Sequence, residues 1–131
     1  MLTPRRLITG KVLLCCAGLT GALASGCARD DRPWRPVPGG SPARGKQQIV
    51  AYGCGSCHTI PGVDQAHGQV GPPLNQFARR AYIAGEVPNS LRYLTQWISV
   101  PQSIEPGTAM PNLGVTAGQA RDIAAYLYSL R

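Results

Sequence analysis

Cys54-Gly55-Ser56-Cys57-His58 is the stretch from which the rest of the chain is read. Two cysteines separated by two residues and followed at once by histidine form the attachment signature of a covalently bound c-type haem. The spacing has a chemical reason. The two thiols add to the vinyl groups of neighbouring haem pyrroles, and a C-x-x-C segment spans that separation. The histidine after the second cysteine then lies under the porphyrin as an axial iron ligand, in its neutral imidazole form. A bare C-x-x-C is ambiguous, because it also fits a thioredoxin-like redox pair or half of a zinc site. Zinc needs four ligands, and beyond residue 26 the only cysteines and histidines are Cys27, Cys54, Cys57, His58 and His67. A thioredoxin-like pair follows a strand in a βαβ unit, and no such pattern is visible. An incidental disulfide is the remaining alternative.

The 131 residues allow one domain, and the first 26 stand outside it. Arg5, Arg6 and Lys11 make a positive start, the apolar run from Val12 to Leu23 is too short to span a bilayer, and Ala24-Ser25-Gly26 is a small-residue cleavage region. Leu23-Ala24-Ser25-Gly26-Cys27 resembles a bacterial lipobox, with alanine in place of leucine three residues before the cysteine. Residues 1–26 therefore read as a lipoprotein signal peptide and Cys27 as the lipidated residue. The competing reading is an ordinary secretory signal that leaves a spare thiol. Cys15 and Cys16 count as apolar leader residues, and Arg5-Arg6 matches a twin-arginine signal poorly.

The whole chain carries a formal +7. Three of its thirteen basic residues lie in the leader, leaving ten against six acids, about +4. With no interleaving of aromatic and basic residues, nucleic-acid binding is not expected. A mildly acidic redox partner is the more natural counterpart.

Residues 28–40 contain three prolines, two glycines and five charges, so 27–40 reads as a lipidated cysteine followed by a linker, about 40 Å long if extended. Trp34 within it packs on the domain or the membrane interface, or docks a partner. The globular part is read as 41–131. Ser41 caps a first helix with Pro42 at its first position, Ala43, Ile49, Val50 and Tyr52 give it an apolar face, and Gly53 ends it. Gly45 is costly inside a helix. Either another helix approaches closely there or the first turn frays.

After His58 the periodicity is lost. Thr59 to Gln69 is a polar loop, and Gly71-Pro72-Pro73 excludes helix. A rigid turn there suits a backbone carbonyl that accepts the Nδ1 proton of His58 and raises its basicity toward iron. His67 reads as a solvated loop residue. Leu74, Phe77, Ala78 and Ala81 suggest a short helix beside Arg79 and Arg80, and Gly85-Glu86-Val87-Pro88 a turn. A clear helix follows from about Ser90 to Val100, capped by Asn89 or Ser90, faced by Leu91, Leu94, Trp97 and Ile98, and stopped by Pro101. Trp97 is core, or its indole N–H meets a haem propionate. Met110 is the only methionine besides Met1, enclosed in Pro106-Gly107-Thr108-Ala109-Met110-Pro111. A loop methionine is poorly explained as core filler, and its thioether completes a His/Met iron site. Thr116-x-x-Gln119 is a capping box. Ala120, Ile123, Ala124, Leu127 and Leu130 then follow the helical repeat.

Taken in order, residues 41–131 resemble a bacterial class I (mitochondrial-type) monohaem cytochrome c, in lipoprotein form. The resemblance rests on the Cys54–His58 motif, Gly71-Pro72-Pro73-Leu74, Arg80-Ala-Tyr-Ile-Ala-Gly85, the Trp97 helix, the Met110 loop and Arg121-Asp-Ile-Ala-Ala-Tyr-Leu-Tyr128. It implies an all-α fold whose helices wrap around one haem c, with N- and C-terminal helices crossing. It implies thioethers at Cys54 and Cys57, His58 and Met110 as iron ligands, the Pro72 carbonyl on His58, and Arg80, Tyr82 and Trp97 at the propionates. The His58–Met110 interval is shorter than in the mitochondrial protein, so a loop has been trimmed. About 90 residues make a small core, so the fold is expected to depend on haem attachment.

The function expected is that of a one-electron carrier, not an enzyme. Anchored through its lipid on the periplasmic side of the bacterial envelope, it would pass electrons from a donor such as a quinol-oxidising complex to a terminal oxidase or other oxidoreductase of the respiratory chain. The alternative is a fixed haem-bearing subunit of a larger respiratory oxidoreductase complex. A haem enzyme or gas sensor, in which Met110 leaves the iron, stands third.

Overall fold

The computed structural model describes residues 35–131. Helix α1 spans Pro42–Ala51, α2 Leu91–Ser99 and α3 Ala117–Leu127. Between them lie three 3-10 turns (Cys54–Ser56, Phe77–Arg79, Pro101–Ser103) and two short strands, β1 Tyr82–Ile83 and β2 Val87–Pro88. Among the described residues no helix is long and apolar enough to cross a membrane.

Helix α1 starts where Ser41 Oγ accepts from the Arg44 amide at 3.3 Å, with Pro42 supplying a residue that has no N–H to satisfy. It stops at Gly53, whose φ of 66° continues no helix. Ile49 enters the core at 1 % exposure, whereas Val50, placed on the same apolar face by sequence, is 60 % exposed. Gly45 is buried inside α1, and a Cβ built on it would lie 2.0 Å from the Asp122 carbonyl oxygen. The two backbones approach so closely that only glycine fits. The close neighbour, not a frayed turn, accounts for Gly45.

Helix α3 opens with the capping box of Thr116 and Gln119. Ala120, Ile123, Ala124 and Leu127 are buried in the core shared with α1 and α2, and Ala125 is buried beside Gly40. Asp122 shares that buried face. Its Oδ2 accepts from Arg44 Nε at 2.8 Å, while its Oδ1 accepts from Arg44 Nη2 at 2.8 Å and from the Ser41 amide at 2.7 Å. These bonds hold the carboxylate below its ordinary pKa, the Arg44 hydrogen bond foremost. One side chain thus caps the start of α1 while sitting in the middle of α3.

Helix α2 is capped by Ser90, which accepts from the Tyr93 amide at 3.4 Å; Asn89 does not cap it. Leu94 and Ile98 are buried, Leu91 and Trp97 half-buried.

Between Leu74 and Pro88 one sequence expectation is corrected, and the expected turn is narrowed to residues 84–86. The short helix shrinks to the single turn Phe77–Arg79, entered by Gln76 at φ 51°. Gly85 to Pro88 is part of an antiparallel hairpin, Tyr82 opposite Pro88 and Ile83 opposite Val87, reversed at Ala84 and Gly85, both at positive φ. The reason lies in Asn89, 5 % exposed. Its Nδ2 donates to the Phe77 and Arg80 carbonyls at 3.1 and 3.0 Å, and its Oδ1 accepts from Tyr128 Oη at 2.9 Å. Carbonyls that a helix would use are taken by a side chain, and the segment is pinned to the end of α3.

Residues 35–40, expected to be unpacked linker, also lie on the domain. Arg35 donates to the Asn89 carbonyl and sits 5.2 Å from the centroid of the Tyr128 ring, and Val37 packs against the core. Cys27, Trp34 and the leader fall outside the described residues.

Candidate functional site

The attachment motif forms a tight 3-10 turn. The amides of Cys57 and His58 donate to the Cys54 carbonyl at 3.3 and 3.0 Å, and Ser56 Oγ donates to the Gly53 carbonyl at 2.7 Å. Cys54 and Cys57 are free thiols, each half-buried, so the alternative of an incidental disulfide is not met. Burial pushes the Cys54 thiol up.

The loop that follows folds back onto the motif through its backbone. Thr59 and His67 form an antiparallel bridge, the Gly68 amide donates to the Gly55 carbonyl at 3.0 Å, and the Leu74 amide to the Thr59 carbonyl at 2.7 Å. The Gly71 amide reaches the Cys57 carbonyl at 2.8 Å. Those bonds deliver Gly71-Pro72 to the His58 ring. His58 Nδ1 lies 2.8 Å from the Pro72 carbonyl oxygen, to which it donates as Nδ1–H. The lone pair on Nε2 is then the ring's remaining ligand position. A Cβ on Gly71 would sit 2.3 Å from His58 Cε1 and 2.6 Å from Nδ1, so the glycine is what lets the turn lie against the ring. His67 is exposed at the far side of the bridge.

The remaining sequence-derived residues stand on other elements. Arg80 is half-buried, donates to the Pro73 carbonyl and lies 5.3 Å from the centroid of Phe77; burial lowers its pKa. Among the described residues it has no carboxylate partner. Tyr82 projects from β1 at 60 % exposure, and Trp97 is half-buried on α2. Met110 is half-buried in the loop after the Pro101–Ser103 turn; its amide donates to Thr108 Oγ1 at 3.2 Å and its carbonyl accepts from Gln102 Nε2 at 2.9 Å. Direct contacts join Cys54, Cys57, His58, Pro72 and, through Pro73, Arg80. Among the described residues no hydrogen bond joins Tyr82, Trp97 or Met110 to that cluster.

Sequence reasoning missed Asn89, Asp122, Arg35 and Gln102. The Arg44–Asp122 and Asn89–Tyr128 partners lie far apart in the chain and carried no local pattern. Gln102 is one polar residue in a polar stretch, with nothing to single it out.

The donor set suits haem c. Two free thiols three residues apart on one turn and an imidazole with its Nδ1 already engaged are what covalent attachment and axial ligation require. Among the described residues no group of three or more His, Cys, Asp or Glu side chains converges as a metal-ion cage.

Comparison with known proteins agrees. The family described as Cytochrome c matches residues 42–131. A cytochrome c oxidase subunit 2 from Alkalihalophilus pseudofirmus is 33 % identical over 89 residues, covering 67 % of this chain and 25 % of that protein. Another from Bacillus sp. (strain PS3) is 29 % identical over 101 residues, covering 74 % and 28 %. The chain thus spans about a quarter of the length of these curated relatives. Because the family match takes in all three helices and the whole attachment loop, the chain belongs to the cytochrome c family, whose members carry covalently bound haem c and transfer electrons.

Proposed function

We propose that this protein is a one-electron carrier whose haem c is joined through thioethers at Cys54 and Cys57 and ligated by His58 and Met110. The observation that carries the reading is the 2.8 Å contact of His58 Nδ1 with the Pro72 carbonyl. It fixes the tautomer, leaves the Nε2 lone pair available to iron and would raise the basicity of the ring toward it. Bound haem supplies a one-electron couple. The chain's part would be to hold the haem between the His58 and Met110 donors, which would leave no open position for a substrate, and to set the potential, which a thioether ligand raises.

Arg80 supports the finer reading of the propionate side. A half-buried guanidinium without a carboxylate among the described residues suits an anionic haem propionate, with Tyr82 and Trp97 as further contacts. The packing of α1 on α3 at Gly45 suits crossing of the terminal helices. The N-terminal sequence supports lipidation at Cys27 and a site on the periplasmic side of the membrane, with donors such as a quinol-oxidising complex and acceptors such as a terminal oxidase.

A second reading has its own support. Both relatives above are named cytochrome c oxidase subunit 2, which favours a fixed haem-bearing subunit of such a complex. Purification separates the two: a carrier leaves the membrane fraction alone, a subunit with partners.

The spectrum of the haem-loaded protein tests the site. A far-red methionine–iron charge-transfer band when oxidised, and no shift on adding carbon monoxide when reduced, are expected. A missing band with a clear carbon monoxide shift means an open iron and an enzyme or sensor instead.

A further inference from the structure

Met110 sits in a segment with little of its own to hold it. Pro106 and Pro111 contribute no N–H, and the hydrogen bonds described inside the loop are short-range. The Gly107 amide donates to Glu105 Oε1, the Thr108 amide to the Glu105 carbonyl, the Met110 amide to Thr108 Oγ1 and the Gly114 amide to Asn112 Oδ1. Such bonds shape the loop without fixing where it stands. Among the described hydrogen bonds, the one that leaves the loop at Met110 runs from Gln102 Nε2 to the Met110 carbonyl, 2.9 Å long and eight residues apart.

Gln102 is well placed to be the fixed end. It follows Pro101, which is fully buried, and belongs to the turn that continues α2. That turn is tied to α2 by Gln96 Nε2 to Ser103 Oγ at 3.0 Å and by Ser103 Oγ to the Val100 carbonyl at 2.7 Å. Helix α2 is itself seated in the core by Leu94 and Ile98. A continuous path therefore runs from the core through Pro101 and Gln102 to the backbone of Met110.

We propose that Gln102 is a positioning residue that keeps Met110 at the iron, resting on the His58/Met110 reading above. A thioether is a weak, neutral ligand held by its loop. Loosening that loop shifts the balance toward the state in which Met110 Sγ has left the iron and an outside ligand takes its place.

The test is imidazole binding to the oxidised, haem-loaded protein, followed through the methionine–iron charge-transfer band, with thermal unfolding measured alongside. Gln102→Glu keeps the shape of the side chain and removes the N–H donor. Gln102→Ala removes both, and Gln102→Lys restores a donor on a chain of similar reach. Losing one hydrogen bond of this kind is expected to tighten apparent imidazole binding about three- to tenfold in the Glu and Ala variants, and to leave the Lys variant near the parent. Unchanged imidazole affinity in Gln102→Glu and Gln102→Ala, with the parent's band present, overturns the role of Gln102 alone. A parent without the band overturns the His58/Met110 ligation and this inference together.

Discussion

The seam between α1 and α3 and the loop that carries Met110 are held by different kinds of contact. In the seam, backbone meets backbone at Gly45, buried aliphatic side chains fill the sides, and Asp122 joins the two helices by three hydrogen bonds. The Met110 loop has turns of its own and one described tie from Gln102. Protein groups complete the seam, whereas the loop is held by short-range bonds and a single longer described tie. Between these extremes lies the His58 side, where backbone hydrogen bonds and Gly71 fix one imidazole.

The sharpest way to break the contrast is Gly45→Ala. The added methyl gains about 1 kcal/mol in helix propensity, yet it would lie 2.0 Å from a backbone oxygen that no rotamer change can move. Overpacking of this kind costs roughly 3 kcal/mol, so the helices must part and the thermal midpoint should drop by about 15 °C. An unchanged midpoint would show that the seam yields as readily as a loop. Gly71→Ala should act on the iron more than on the fold. It pushes the His58 ring from the Pro72 carbonyl, weakens the ligand's basicity and raises the reduction potential by roughly 40 mV, the worth of one hydrogen bond in a one-electron couple. A potential equal to the parent's would mean that the Pro72 contact does not tune the iron.

The smallest effect is the most diagnostic of the seam's electrostatics. The Asp122 carboxylate has a lowered pKa in the folded chain, so its stabilisation is present above the ordinary aspartate value of about 3.9 and is lost as pH falls through the depressed folded value. Asp122→Asn should lower the midpoint by about 5 °C near neutrality, and the gap should close on acidification. A gap that stays constant with pH would assign Asp122 a packing role only.

What could be read in advance follows the same division. Helix α3 announced itself by its capping box and apolar repeat, α1 by Ser41-Pro42, and the His58 side by Cys54–His58 and Gly71-Pro72-Pro73. Local chemistry sets all of these. Asp122 was illegible because a charge in a helix reads as solvent-facing until Arg44 and the Ser41 amide are known to meet it. Asn89 looked like a cap because its real partners, Tyr128 and the Phe77 and Arg80 carbonyls, are brought together only by the fold. Two-residue strands are too short to show alternation, which hid the hairpin, and Arg35 and Val37 gain meaning only from the ring and core beneath them.

The seam also dictates an order of events. Arg44 and Asp122 are 78 residues apart in sequence, so nearly the whole domain must exist before they can meet, and the entropy of closing so long a loop precedes any reward from the contact. Cys54, Cys57 and His58 lie inside that span. Until α3 arrives, α1 lacks its main packing partner, and the motif beside it is expected to stay accessible for haem attachment. So long-range a contact is expected to close late, leaving an interval for covalent chemistry that ends when the last helix docks.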